Sequence, residues 1–170
     1  IGYSAKVLNF FFPGQSQISG YYDQGMLFPE YTFDMIDKVW GSGDLNSTLF
    51  YFDWYGVKYF EIRSDNGFKN KFFNNPILFR ENVTLDFGDY NLTIFEYTNS
   101  KSIISYVKDL KSLEELNFSW KRDNPDKVYI YFNGSEKGRV LFKESYYPSW
   151  NAKELPSGIR LNISRAGPGM

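Results

Sequence analysis

Chemistry at neutral pH usually starts from histidine or cysteine, and this chain of 170 residues contains neither. Without imidazole the commonest general base is missing, as are the usual ligands of catalytic zinc and non-haem iron, and no serine triad of the usual kind can be built. Without thiols there is no disulfide, no thiol nucleophile and no cysteine zinc site. What remains is carboxylate chemistry, a Lys or Tyr base, or an oxygen-ligated ion, and no residue pattern announces any of them. Asp65-Asn66-Gly67 lacks the alternating oxygen ligands and the distal Glu of a calcium loop and reads as a turn. Glu114-Glu115 and the pair Asp34 and Asp37 read as solvated acids, and a glycosidase pair cannot be chosen among 20 acidic residues without geometry. Gly167-Pro168-Gly169 has neither the Lys nor the following helix of a phosphate loop. The sequence therefore assigns no catalytic residue, no metal ligand and no cofactor.

Two patterns point to binding and to location instead. Asn-x-Ser/Thr occurs at Asn46, Asn82, Asn91, Asn117, Asn133 and Asn162, six times among 14 Asn. Random placement would give roughly two. The excess fits a chain exposed to an N-glycosylation machinery outside the cytoplasm; the plainer reading is an Asn-rich composition in which Ser and Thr follow by chance. The second pattern is Tyr146-Tyr147-Pro148-Ser149-Trp150. Tyr146, Tyr147 and Trp150 could stack on a sugar ring or a partner surface, or they could close the end of a sheet with Pro148 ending the strand. The denser run Phe50-Tyr51-Phe52-Asp53-Trp54-Tyr55 reads as core.

The elements that would hold these residues are mostly strands. Aromatic residues make up 21% of the chain, and with β-branched residues they favour pleated structure. The formal net charge is −1, with no basic block, so the electrostatic footprint of a nucleic-acid or anionic-membrane binder is absent. No apolar run approaches the length that spans a bilayer. Strands are expected at residues 6–12, 57–63 and 92–97, and from Asn117 onward at 118–121, 127–133, 139–145 and 159–165. Residues 31–40 read as a helix stopped by Gly41-Ser42-Gly43, with Met35, Ile36, Val39 and Trp40 at helical spacing. A second helix is expected after Asn99 or Ser100, with Ile103, Ile104, Val107 and Leu110 on one face and a further helical turn through Ser112 to Leu116. The fold class is α+β, mainly antiparallel β with a few helices and a β-sandwich-like C-terminal part. A mixed subdomain over residues 1–112 is followed by a strand-rich one over residues 113–170. Both ends read as cuts in a longer chain, with the C-terminal sheet truncated.

Several segments in order resemble a family. Tyr55-Gly56-Val57-Lys58-Tyr59, Leu92 to Tyr97, Asn124-Pro125-Asp126-Lys127-Val128, Glu144 to Ala152 and Arg165 to Met170 are similar to stretches of the YfhO-like polytopic membrane proteins. Archaeal members of that group are described as pyruvoyl-tetrahydropterin-synthase-related membrane proteins. The resemblance covers much of residues 50–170, and the chain departs from the pattern with Ser149 in place of Gly and with a shorter Leu155-Pro156-Ser157-Gly158 turn. It implies a many-helix, glycosyltransferase-like membrane region that carries the catalytic carboxylates and is followed by an extracytoplasmic domain of this kind. No catalytic residue carries over.

The sequence thus leads to the expectation of a non-catalytic, extracytoplasmic accessory domain tethered through the membrane region of its parent chain. Its partners would be that region and glycan or cell-envelope components, with no nucleic acid. Two other readings stand beside it: a free-standing carbohydrate-binding or surface-layer module, and an acid-based glycoside hydrolase.

Overall fold

The computed structural model describes residues 37–124, 126–143 and 149–164. The expected strand at 6–12 and the first six residues of the expected helix at 31–40, including Met35 and Ile36, lie outside them. Residues 37–40 are helical, and Gly41 ends the turn with its amide donating to the Asp37 carbonyl (3.1 Å).

A helix that the periodicity did not single out comes next, α1 (Leu45–Tyr55). Asp44 caps it by accepting from the amides of Asn46 and Ser47, and Gly56 closes it at φ +65°, a conformation that glycine adopts without a Cβ penalty. Strand β1 (Tyr59–Arg63) follows, then a short α2 (Asn70–Phe73), and then β2 (Phe79–Asp86) and β3 (Asn91–Tyr97). These strands form one antiparallel sheet in the order β1-β3-β2. A bulge at Asn82 shifts the register between Glu81 and Val83.

Alternation along β1 and β3 puts Phe60, Ile62, Phe95 and Tyr97 on one face, where Phe52 of α1, Phe72 of α2, Phe79 and Val39 close over them. The rings meet at centroid separations such as 4.8 Å for Phe52–Phe60 and 5.0 Å for Phe60–Phe72, within the range at which aromatic pairs attract. The aromatic excess is thereby explained as an aromatic core. Within the 50–55 run, Phe52 is buried in this core and Trp54, on the other flank of α1, in a second cluster, whereas Phe50 beside Trp54 stays exposed.

The remaining strands pair in twos. β4 (Ile104–Val107) pairs with β7 (Arg139–Phe142), β5 (Phe118–Asn124) with β6 (Lys127–Phe132), and β8 (Ala152–Lys153) with β9 (Arg160–Leu161). β4 lies before residue 112 and β7 after it, so their pairing spans the expected subdomain boundary. Trp54, Val107, Leu113 and Leu141 form a smaller apolar cluster beneath β4 and β7. The fold is α+β, dominated by antiparallel strands.

Three expectations are corrected. The segment expected as a helix from Asn99 or Ser100 is a loop followed by β4: Ile104 and Val107 are β-branched, and in-register pairing with β7 outweighs their helical spacing. Ser112 to Leu116 is no helical turn either. Asp109 accepts from the Lys111 and Ser112 amides, Leu113 sits at φ +52°, and Glu115 bridges back to Val107. The strand expected at 159–165 shrinks to Arg160–Leu161, because its only described partner is the two-residue β8, and Arg165 lies outside the described residues. Among the described residues no helix is long and apolar enough to cross a membrane.

Candidate functional site

The most built polar site lies where the end of α1 meets the loop from β3 to β4. Asp53, in the last turn of α1, accepts a hydrogen bond from the Tyr97 hydroxyl at 2.9 Å. Gly56 brings the chain so close to the loop that an added Cβ would stand 3.3 Å from the Lys101 carbonyl and 3.4 Å from that of Ser102. The loop is pinned from the other side by Thr98, whose hydroxyl donates to the Ile77 carbonyl, and by Ser102, whose hydroxyl accepts from the Trp120 indole at 3.1 Å. Glu115 completes the wall. It accepts from the Ser105 hydroxyl at 3.0 Å and pairs with Lys101 at 3.6 Å.

Together Asp53, Tyr97, Asn99, Lys101, Glu115 and Phe118, with the loop residues between them, line an open cleft of about 500 Å³. Burial pushes the Asp53 carboxyl up from its ordinary value, against the Tyr97 hydrogen bond and the nearby Lys101 and Lys143. Burial likewise pushes the Tyr97 hydroxyl up, reinforced by the Asp53 charge. Lys143, whose stem packs on Gly56, is lowered by burial to about 8 although Glu115 and Asp53 oppose the shift. The lining carries two acids, Asp53 and Glu115, and one amine, Lys101, with Lys143 near Asp53 and Glu115 but outside the lining, and Phe118 adds one apolar wall.

Among the described residues no cluster of three or more acidic, His or Cys side chains could hold a metal ion. Of the residues the sequence singled out, Tyr146 and Tyr147 lie outside the described residues. Trp150 is half-buried with its ring edge-on to Phe142 at 5.3 Å, and it does not line the cleft. Asn46, Asn82, Asn91, Asn117, Asn133 and Asn162 are all exposed. The sequence reading missed Asp53, Tyr97, Lys101 and Glu115 as a group. The available signal was Asp53 itself, a carboxylate set among five aromatics, where a charge has to find a partner.

No family model, no curated protein and no solved structure matches the chain.

Proposed function

We propose that this chain is an extracytoplasmic accessory domain of a membrane protein and that it binds a neutral glycan in the cleft between α1 and the β3–β4 loop. The observation that carries the binding reading is the composition of that cleft. Hydroxyl, amide, carboxylate and ammonium groups converge on a space of about 500 Å³ beside the Phe118 ring. Sugars present both donors and acceptors on every hydroxyl and an apolar ring face, and such sites combine a few convergent polar groups with one aromatic wall. The acids are already engaged, Asp53 by Tyr97 and Glu115 by Ser105 and Lys101, which suits binding better than a hydrolytic pair. The six exposed sequons and the resemblance to YfhO-like membrane proteins support the location.

Titration calorimetry against a panel of neutral oligosaccharides tests the reading. Binding should weaken in Asn99→Ala and in Phe118→Ala while circular dichroism stays unchanged. Binding that ignores both substitutions, or no heat with any glycan, would overturn it.

A further inference from the structure

All six sequons fit Asn-x-Ser/Thr, with Thr two residues after Asn46, Asn82 and Asn91 and Ser two residues after Asn117, Asn133 and Asn162, and the fold divides them further. Transfer of a glycan to Asn requires the transferase to draw the Asn-x-Ser/Thr segment into its own site and to hold the hydroxyl two residues on, so both backbone and hydroxyl must be free to leave the acceptor protein. Asn46 lies in the first turn of α1, and its partner Thr48 is fully buried with its hydroxyl donating to the Asp44 carbonyl at 2.9 Å. Asn82 and Asn91 lie in the three-stranded sheet. Their partners Thr84 and Thr93 share a hydrogen bond at 2.9 Å, Thr84 also reaches Glu81, and the Asn91 backbone is tied at both its amide and its carbonyl to Ser64.

Asn133 and Asn162 are placed differently. Both lie outside any helix or strand, and their partners Ser135 and Ser164 are exposed and have no hydrogen bond to the described residues. Gly134, between Asn133 and Ser135, has φ +143° and nothing within 4 Å of where a Cβ would stand, so the segment projects into open space. Asn117 is intermediate. It precedes β5, its partner Ser119 is held in the β5–β6 ribbon, and its carbonyl accepts from the Asn133 amide at 3.5 Å. A glycan on Asn133 would therefore crowd Asn117.

We infer that, in the folded chain, Asn133 and Asn162 are the N-glycan acceptor sites and Asn46, Asn82 and Asn91 are closed by the fold. The inference rests on the extracytoplasmic reading for its biological setting. In the reaction the side-chain amide nitrogen attacks the anomeric carbon of a lipid-linked glycosyl diphosphate and the anomeric C–O bond breaks. The lipid diphosphate leaves, and the amide proton passes to a carboxylate of the transferase. Modification at the closed sites has to wait for local opening of α1 or of the sheet.

The test is a purified reaction of the folded 170-residue chain with an oligosaccharyltransferase and a lipid-linked oligosaccharide diphosphate, mapped by mass spectrometry of peptides. Initial occupancy at Asn133 and Asn162 should exceed that at Asn46, Asn82 and Asn91 by about tenfold or more, the ratio set by the opening equilibrium. The same six segments as free synthetic peptides should lose that ranking, and the double variant Asn133→Gln/Asn162→Gln should lose most of the label. Equal or greater occupancy at the three closed sites, or the same ranking among free peptides, overturns the inference. Absence of sugar from chain isolated from its native cells counts against the extracytoplasmic location alone, because the ranking is read in the purified reaction.

Discussion

At the residue scale, the contact between Tyr97 and Asp53 joins the core to the cleft. Tyr97 is almost fully buried with its ring among Phe52 and Phe79, while its hydroxyl reaches the carboxylate at the cleft wall. Tyr97→Phe keeps the ring and removes the donor, leaving a half-buried carboxylate short of one partner. The expected cost is about 1–3 kcal/mol in urea denaturation, the range for a lost hydrogen bond to a charged group. A loss much below 1 kcal/mol would mean that water replaces the hydroxyl. Trp150 offers a second residue-scale measurement. Its ring stands edge-on to Phe142 at the end of β7, so Trp150→Ala should lower the melting temperature, with a loss of about 1–2 kcal/mol for a half-buried ring. Unchanged stability with lost oligosaccharide binding would move this tryptophan into a binding surface. Little of the cleft was legible at this scale, because Asp53, Tyr97, Lys101 and Glu115 come from separate elements and share no spacing. Trp150 was singled out by the sequence, and its ring lies edge-on to Phe142.

At the element scale, local signals succeeded where one pattern had no competitor and failed where two did. Alternation through Tyr59–Arg63 and Asn91–Tyr97 had no helical rival, and both are strands. In the segment from Ile103 to Leu110 the apolar spacing suits a helix as well as a strand, and only pairing with Arg139–Phe142, some 35 residues later, decides it. α1 went unread because its apolar residues surround the whole cylinder and leave no stripe to detect. The β4–β7 ribbon depends on one small residue. A Cβ at Gly138 would lie 2.7 Å from the Leu116 side chain, 2.7 Å from the Tyr106 ring and 2.8 Å from the Val107 carbonyl oxygen, and the last cannot move without breaking the ladder. Gly138→Ala should cost about 1–3 kcal/mol through overpacking and should speed amide exchange in β4 and β7 before β1–β3 is affected. Uniform acceleration across both sheets would show instead that the two regions open as one unit.

At the scale of the whole molecule, the aromatic fraction correctly announced a strand-rich fold, but it carried no information about pH response, which depends on where burial leaves ionisable groups. Glu61 sits on β1 directly opposite the fully buried Ile94, on the sheet face away from the aromatic core, and one of its carboxyl oxygens is buried with no hydrogen-bond partner among the described residues. Burial pushes it from 4.5 up to about 7. A group whose folded value is raised binds protons more tightly in the native state, so its contribution is complete below pH 4.5 and is lost as pH rises toward 7. Asp53, also raised by burial, acts in the same direction starting from lower pH. Lys71 and Lys143, both lowered by burial to about 8, act with the opposite dependence and return stability as pH rises from 8 toward 10.5. The stability curve should therefore fall between pH 4.5 and 7, pass through a minimum near pH 7 to 8, and recover on the alkaline side. Glu61→Gln removes the largest carboxylate contribution while keeping the side-chain shape. Its stability should match that of the parent chain at pH 4.5 and exceed it by about 1–2 kcal/mol at pH 8, the shift discounted for solvent screening of a half-buried group. Denaturant midpoints at the two pH values decide it: a variant less stable than the parent at pH 8 would mean that the ionised Glu61 is held by a favourable partner and that the acidic limb of the curve arises elsewhere.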